Sequence, residues 1–229
     1  MIFAPFAYRQ QVVSTPSVIT DNLKFYVDAG NVSSYPGTGT TWTDLSGLGN
    51  NFTLQNGPTF DSANGGSIVF DGTNDRAAGS SYALGSSYTV DCWFKTSTAG
   101  TRALIGQKNS NGIYFGTRPS GGTTKLGLSG QFDVPFGFRL STTVIDTGNW
   151  VYGAATYDGS NVKMYVNGVL ETTTASTGNF SRNEQVTVGA SIDDEHFLGN
   201  IAIARQYTAV LTGAQITQNY DAQKSRYGY

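Results

Sequence analysis

The sequence predicts an all-β protein built from antiparallel strands, with one short helix near the C-terminus. Three observations support this prediction. The chain is rich in glycine (29 residues) and in aromatic residues (13%), a composition typical of turn-rich β proteins. From residue 23 onward it consists of short apolar runs separated by turn signals. The hydrophobic period changes to that of a helix only in the last segment.

Length and cysteine content allow one large domain without covalent support. A chain of 229 residues buries enough surface to fold without a disulfide or a metal. Cys92 is the only cysteine, so no intramolecular disulfide is possible. We expect no cofactor to be required for folding.

Strands are predicted at residues 23–27, 67–70 and 88–95. In the last of these, Tyr88, Val90, Cys92 and Phe94 alternate with Thr89, Asp91, Trp93 and Lys95, so the two sets lie on opposite faces of a sheet. Cys92 is expected in the core. Trp93, on the other face, is expected to cover a second apolar layer or to line a surface.

Residues 150–157, 162–166 and 169–172 form the clearest antiparallel unit. Asp158-Gly159-Ser160-Asn161 connects the first pair of strands, and Asn167-Gly168 connects the second. Asn-Gly favours a type I′ turn, because both central residues take positive φ. The sequence therefore predicts a three-stranded meander.

The last segment predicts a helix. Thr212 and Gln215 have the spacing of a capping box, and Leu211 and Ile216 that of a hydrophobic staple. Gly228 is a candidate for the residue that ends this helix.

We divide the chain into an N-terminal arm, residues 1–21, and a domain, residues 22–229. The arm carries Phe3, Phe6 and Tyr8 without a clear period, and either docks on a protein partner or lies along its own domain. No cationic stretch precedes its apolar residues, so a secretory signal is not expected.

Charge and hydropathy exclude two classes of partner. Charged residues make up 13% of the chain and the formal net charge is −2, so the basic surface of a nucleic-acid binder is missing. No apolar run approaches the length of a membrane span. We expect neither nucleic acid nor membrane as a partner.

Five stretches carry a family resemblance, in this order: DAGNVSSYPGTGTTWTDLSGLGNNFTLQNGP (28–58), SIVFDGTNDRA (67–77), YTVDCWFKT (88–96), NWVYGAATYDGSNVKMYVNGVLE (149–171) and VTVGASIDDEHFLGNIAIARQYTAVLTGAQITQNYDAQKSRYG (186–228). They resemble laminin-G-like, concanavalin A-like jelly-roll domains. The opening and the ending are similar to the version found in tailed-phage and other viral structural proteins. The resemblance covers most of the chain from about residue 23 to 228 and leaves the arm outside.

The resemblance implies a two-sheet antiparallel β-sandwich, the concanavalin A-like jelly roll. Relatives are carbohydrate-binding or adhesive modules, virion surface proteins or non-catalytic appendages, and some bind calcium at one edge of the sandwich. For this chain the resemblance suggests calcium as the bound ion, if there is one.

Two acidic loops are candidates for that ion, because calcium takes six to eight oxygen ligands. Asp71, Asn74 and Asp75 lie in one loop, and Asp193 and Asp194 in another, which the resembling fold can bring close to the first. The alternative is that these residues are ordinary turn formers whose side chains bond their own backbone.

Aromatic side chains are candidates for stacking against a glycan. Tyr35, Trp42, Tyr82 and Tyr114 are the residues considered, with the alternative that each is a core or loop anchor.

Catalysis is not predicted. Glycan hydrolysis on this fold uses carboxylates at alternate positions of one strand, which share a face. Glu171, Glu184 and Glu195 show no such spacing, and His196, the sole histidine, has neither the partners of a zinc site nor a nucleophile elbow nearby.

These observations favour a virion structural protein without enzymatic activity, located at the virion surface. It would be a head-decoration, spike or fibre-associated subunit whose lectin-like domain serves assembly or adhesion to the host surface. Its partners would be other capsid or tail proteins, further copies of itself and a cell-surface glycan. A free carbohydrate-binding module is the alternative, followed by a glycoside hydrolase.

Overall fold

The computed structural model describes residues 16–107, 112–130, 132–133, 137–178, 183–191 and 195–229. Within these ranges the chain forms eighteen strands, one α-helix and two 3₁₀-helices. The strands are β1 (Leu23–Asp28), β2 (Thr41–Trp42), β3 (Phe52–Gln55), β4 (Thr59–Asp61), β5 (Ser67–Asp71), β6 (Arg76–Tyr82), β7 (Tyr88–Lys95), β8 (Arg102–Gln107), β9 (Tyr114–Ser120), β10 (Thr123–Ser129), β11 (Phe132–Asp133), β12 (Arg139–Val144), β13 (Trp150–Tyr157), β14 (Asn161–Val166), β15 (Val169–Ala175), β16 (Thr177–Gly178), β17 (Glu184–Val188) and β18 (Leu198–Tyr207). The α-helix is α1 (Gly213–Asp221), and the 3₁₀-helices are Ala63–Gly65 and Lys224–Tyr227.

Two large antiparallel sheets form the sandwich, which confirms the predicted fold class. Sheet A has the order β15-β14-β13-β7-β18-β5-β4, and β1 also pairs with β18. Sheet B has the order β12-β10-β9-β8-β17-β6-β3-β2. Strands β11 and β16 form a small separate ribbon.

The main core lies between the inner faces of the two sheets. It includes Phe25, Phe52, Phe70, Phe94, Phe115, Leu126, Tyr157, Met164 and Ile201. A second apolar cluster lies on the outer face of sheet A, where α1 and the residues after it cover the strands. It includes Leu23, Trp93, Trp150, Tyr152, Tyr165, Ile203, Tyr207, Leu211, Ile216 and Tyr227. The central strands of sheet A are therefore buried on both faces.

Strand β7 confirms the predicted alternation. Cys92 and Phe94 belong to the inner core, and burial raises the pKa of the Cys92 thiol well above its usual value. Trp93 is fully buried in the outer cluster, where it covers a second layer, one of the two roles the sequence had left open.

The predicted meander and its hairpin turn are confirmed. Strands β13, β14 and β15 pair in sequence order, and Asn167 and Gly168 have φ values of 49° and 79°. Both central residues thus take the positive φ that a type I′ turn requires.

The capping box of α1 is also confirmed: Thr212 accepts from the backbone N–H of Gln215, whose side chain accepts from the backbone N–H of Thr212. The prediction for Gly228 was wrong. Helix α1 ends at Asp221, and Gly228, at φ 85°, instead closes the separate 3₁₀-helix that follows.

A buried polar network holds α1 against sheet A. Asp91 and Arg205 form an ion pair of 2.7 Å, and both side chains are fully buried. The second oxygen of Asp91 accepts from the Tyr152 hydroxyl at 3.1 Å and from Asn219 Nδ2, on α1, at 3.2 Å. The network fixes the helix by directed bonds as well as by apolar packing.

The described part of the N-terminal arm lies on this same face. The backbone N–H of Ile19 donates to Asn219 Oδ1 at 2.7 Å, and the Tyr207 hydroxyl donates to the Ile19 carbonyl at 3.1 Å. These residues pack on their own domain, whereas Phe3, Phe6 and Tyr8 lie outside the described residues.

No helix in the described ranges has the length and apolar character that a membrane crossing requires.

Glu171 joins the two sheets at one side of the sandwich. From edge strand β15 its carboxylate accepts from the backbone N–H groups of Thr142 (2.7 Å) and Thr143 (3.0 Å), on edge strand β12, and from the Thr143 hydroxyl. Partial burial tends to raise the pKa of Glu171, but these hydrogen bonds outweigh burial and lower it below its usual value.

Replacing Glu171 with glutamine is expected to reduce stability at neutral pH but not in acid. A carboxyl whose folded pKa is lowered stabilises the fold above its unfolded pKa, about 4.3 for glutamate, and this stabilisation is lost as pH falls through the folded pKa. We expect the variant to be less stable by about 1 kcal/mol or less, because solvent screens this half-exposed site. Urea unfolding between about pH 7 and about pH 3 measures the difference. A difference that stays constant over that range would contradict the assignment.

Candidate functional site

A row of outward-facing residues crosses sheet A near the ends of its strands. Trp150 on β13 pairs with Lys95 on β7, Lys95 pairs with Asn200 on β18, and Asn200 pairs with Val69 on β5. Strands lie about 4.8 Å apart, so the row is about 14 Å long. That length suits a ligand of more than one ring.

Two surface cavities adjoin this row and share Lys95 and Gly148. The first has a volume of about 420 Å³ and is lined by Asn64, Lys95, Gly148, Asn149, Trp150, Tyr227, Gly228 and Tyr229. The second has a volume of about 350 Å³ and is lined by Val69, Phe70, Lys95, Thr96, Ser97, Thr98, Gly148, Leu198, Gly199 and Asn200. We call the two cavities together the Lys95 groove.

Three aromatic residues form one wall of the groove. Tyr227 stacks on Trp93 with ring centroids 4.1 Å apart, and its ring lies 4.8 Å from that of Trp150. Tyr229 is 47% exposed, and its hydroxyl donates to the carbonyl of Trp150. In this wall Trp150 and Tyr227 are buried and held by packing, and Tyr229 provides the accessible ring.

The polar groups of the groove include an ammonium group, side-chain amides and an indole N–H. Lys95 Nζ lies 5.2 Å from the centre of the Trp150 ring, a cation–π contact. Asn64 and Asn149 are exposed at the rim. Trp150 Nε1 is buried and has no hydrogen-bond partner among the described residues. Apolar surface beside a few convergent polar groups is the usual composition of a small-ligand site.

Arg226 holds the wall in place. Its Nη1 donates to both carboxylate oxygens of Asp28, at 2.7 and 3.0 Å. Its Nε donates to the Asn64 carbonyl at 3.0 Å, and its Nη2 to the Gly66 carbonyl at 3.0 Å. One side chain thus ties the C-terminal segment to β1 and to the turn that supplies Asn64.

The aromatic residues predicted to stack on a glycan are largely buried. Tyr35, Trp42, Tyr82 and Tyr114 are each at most 8% exposed. Tyr114 donates to the Thr117 carbonyl, and burial raises the pKa of Tyr114. The alternative role, as core or loop anchors, accounts for this burial. Tyr35 also lines a surface cavity, and stacking of these rings on a glycan stays a prediction.

The first acidic loop bonds largely to itself. Asp71 accepts from the Thr73 backbone N–H at 2.8 Å, which lowers the pKa of Asp71. Asp75 Oδ2 accepts from the Asp71 backbone N–H at 3.0 Å, while Asp75 Oδ1 is buried without a partner among the described residues, and burial raises the pKa of Asp75. The Asn74 carbonyl accepts from Asn56.

The calcium site predicted on the two acidic loops lies only partly within the described residues. Within the described ranges, no three His, Cys, Asp or Glu side chains come together in a way that could hold a metal ion. Among the described side-chain oxygens of this loop, only Asp75 Oδ1 is buried without a hydrogen-bond partner. Asp193 and Asp194 lie outside the described residues, so the five-residue site stays a prediction.

The residues of the Lys95 groove were not predicted as a site. The outward positions of Lys95 and Trp150 follow from strand alternation, and the pairing of β7 with β13 would have placed them side by side. No comparable sequence pattern marks the wall residues Tyr227 and Tyr229, because a 3₁₀-helix and not a strand places them at the groove.

Two antiparallel sheets packed face to face, with one helix near the C-terminus, define a concanavalin A-like jelly roll. The family model of the concanavalin A-like lectin/glucanases superfamily, Laminin_G_3, matches residues 71–217. The chain belongs to this family.

Solved structures confirm the fold. Domain 4 of AbnA, a GH43 extracellular arabinanase from Geobacillus stearothermophilus solved in complex with arabinotriose, is similar with a TM-score of 0.69 and 20% identity, over 87% of this chain and 98% of that one. The binding domain of Paraclostridial Mosquitocidal Protein 1 is similar with a TM-score of 0.64 and 12% identity, over 88% of this chain and 52% of that one.

The botulinum neurotoxin serotype D ligand binding domain, solved with N-acetylneuraminic acid, has a TM-score of 0.64 and 15% identity, over 90% of this chain and 52% of that one. This chain therefore spans about half the length of the two toxin domains. The comparison with curated proteins found no match.

Proposed function

We propose that this chain is a non-catalytic glycan-binding domain and that the glycan lies in the Lys95 groove. The observation that carries the proposal is the accessible ring of Tyr229, backed by the buried rings of Trp150 and Tyr227, beside amide and ammonium donors. Aromatic rings pack against the apolar face of a sugar, while the donors bond its hydroxyl groups. The ligands of two structural neighbours, arabinotriose and N-acetylneuraminic acid, support this class of ligand.

The absence of catalysis is part of the proposal. Glu171 uses both carboxylate oxygens to bond β12, and the acids of the sequence lack the alternating spacing that glycan hydrolysis needs. Incubation with a polysaccharide panel, with reducing ends measured, is expected to show no cleavage.

A glycan array with wild type and a Tyr229→Ala variant tests binding. We expect the wild type to bind a restricted set of glycans and the variant to bind them about two- to tenfold more weakly, because a stacking ring contributes about 0.5–1.5 kcal/mol. Val169→Ala, at an exposed apolar residue of β15 outside the groove, is the control and is expected to bind as the wild type does. Arrays run with calcium and with a chelator test whether the ion is needed. A wild-type array that stays blank in both conditions would remove the proposal.

We further propose that the domain is displayed on a virus particle, as a head-decoration, spike or fibre-associated subunit in a homo-oligomer. The similarity of residues 28–58 and 186–228 to domains of viral structural proteins supports this setting. Many copies on one particle would raise the effective affinity of a weak groove by avidity. Immunogold electron microscopy of particles from the source tests it, with labelled heads or tails as the expected result. Unlabelled particles, with an antibody verified on the free protein, would leave a free carbohydrate-binding module.

A further inference from the structure

We infer that the ligand of the Lys95 groove is an anionic sugar, whose carboxylate or sulfate group is bound by Lys95. This inference rests on the proposed glycan binding and adds the charge of the ligand. Lys95 lines both cavities, and neither lining includes an acidic side chain. Its ammonium group forms no ion pair with any of the described residues.

The positive charge lies in the groove and is not a property of the whole protein. The whole chain carries a formal net charge of −2, so the protein as a whole does not attract anions. Arg226, the cation nearest in sequence to the wall residue Tyr227, is occupied by Asp28. Among the side chains that line the groove, Lys95 is therefore the charged one that remains for a ligand.

Neighbouring groups indicate where the anion lies. Asn200, on the opposite side of Lys95 from Trp150, donates to Ser67 at 3.0 Å and to Asp61 at 3.4 Å, so that side of the row is next to a negative charge. At the other end the half-exposed Tyr229 lines the first cavity. The anion is therefore expected at Lys95 on the side away from Asp61, with the sugar ring extending toward Tyr229.

Matched polysaccharide pairs test the inference. Binding is measured to polygalacturonate against its methyl ester, and to dextran sulfate against dextran, with wild type, Lys95→Gln and Lys95→Arg. We expect one anionic polymer to bind at least about tenfold more tightly than its neutral partner, since charge-assisted hydrogen bonds are the strong ones. Lys95→Gln is expected to remove this preference, and Lys95→Arg to keep most of it.

Lys163→Gln is the control for general charge. Lys163 pairs with Thr156, which pairs with Thr89, six residues from Lys95 and thus about 20 Å away along β7. This variant is expected to behave as the wild type does. A preference for polygalacturonate identifies a carboxylate, and one for dextran sulfate identifies a sulfate ester.

Three results would overturn the inference. Equal binding of charged and neutral partners would leave glycan binding intact and remove the anion. Loss of the preference in Lys163→Gln as well would show general attraction of polyanions. No binding to these polymers together with a blank glycan array would remove both the inference and the proposed function.

Discussion

Replacing Asp91 with asparagine is expected to lower the free energy of unfolding by about 3–5 kcal/mol. The carboxylate is the only charge that compensates the fully buried guanidinium of Arg205 among the described residues. Asparagine can still accept from Arg205, but its amide nitrogen then meets Asn219 Nδ2, so two donors face each other. An uncompensated buried charge is much more costly than the loss of a hydrogen bond.

The exposed pair of Asp221 and Lys224 supplies the matched control. Their side chains are 36% and 41% exposed and 2.7 Å apart, so Asp221→Asn makes the same chemical change in solvent. We expect it to change stability by about 0.5 kcal/mol or less. Urea unfolding followed by tryptophan fluorescence measures both variants. If Asp91→Asn cost no more than Asp221→Asn, the Asp91 carboxylate would not be what compensates the buried charge of Arg205.

Replacing Gly199 with alanine is the second change with a large expected effect. An added Cβ would lie 2.2 Å from the carbonyl oxygen of Lys95, and Gly199 has a φ of 141°, which other residues rarely adopt. We expect a loss of about 4 kcal/mol, about half from backbone strain and half from overpacking. Because Gly199 also lines the second cavity, glycan affinity is expected to fall together with stability.

Gly57→Ala separates strain from overpacking. Gly57 has a φ of 111°, and a Cβ added there would have no heavy atom from the rest of the described chain within 4 Å. This variant is expected to lose only the cost of strain, about 2 kcal/mol. Thermal and urea unfolding of the two variants give the difference. If both variants lost the same free energy of unfolding, the added Cβ of Gly199→Ala would fit beside the Lys95 carbonyl without cost.

Features that depend on neighbours in the sequence were predictable. The alternation of β7, the Asn167-Gly168 turn and the capping box of Thr212 each follow from a few consecutive residues, and all three are present. The place where α1 ends was missed, because Gly228 signals the end of a helix without showing that a second one intervenes.

Features that depend on distant residues were not predictable. Asp91 and Arg205 are separated by more than a hundred positions, and only the pairing of β7 with β18 brings them together. The same limit applies to the aromatic residues. Composition does not distinguish Trp42, which is fully buried, from Tyr229, which is half exposed. The groove is assembled from five separate parts of the chain, so no local pattern marks it.

The pairing of β1 with β18 also affects how the protein is made. Leu23 is opposite Tyr207, so a ribosome must add 184 further residues (207 minus 23) before this ladder can be complete. At about 5–20 residues per second, the first strand waits roughly ten to forty seconds for its partner. During synthesis sheet A cannot close, and its apolar strands stay exposed to other nascent chains. Production of this protein should therefore depend on chaperone supply and on temperature more than its final stability would suggest.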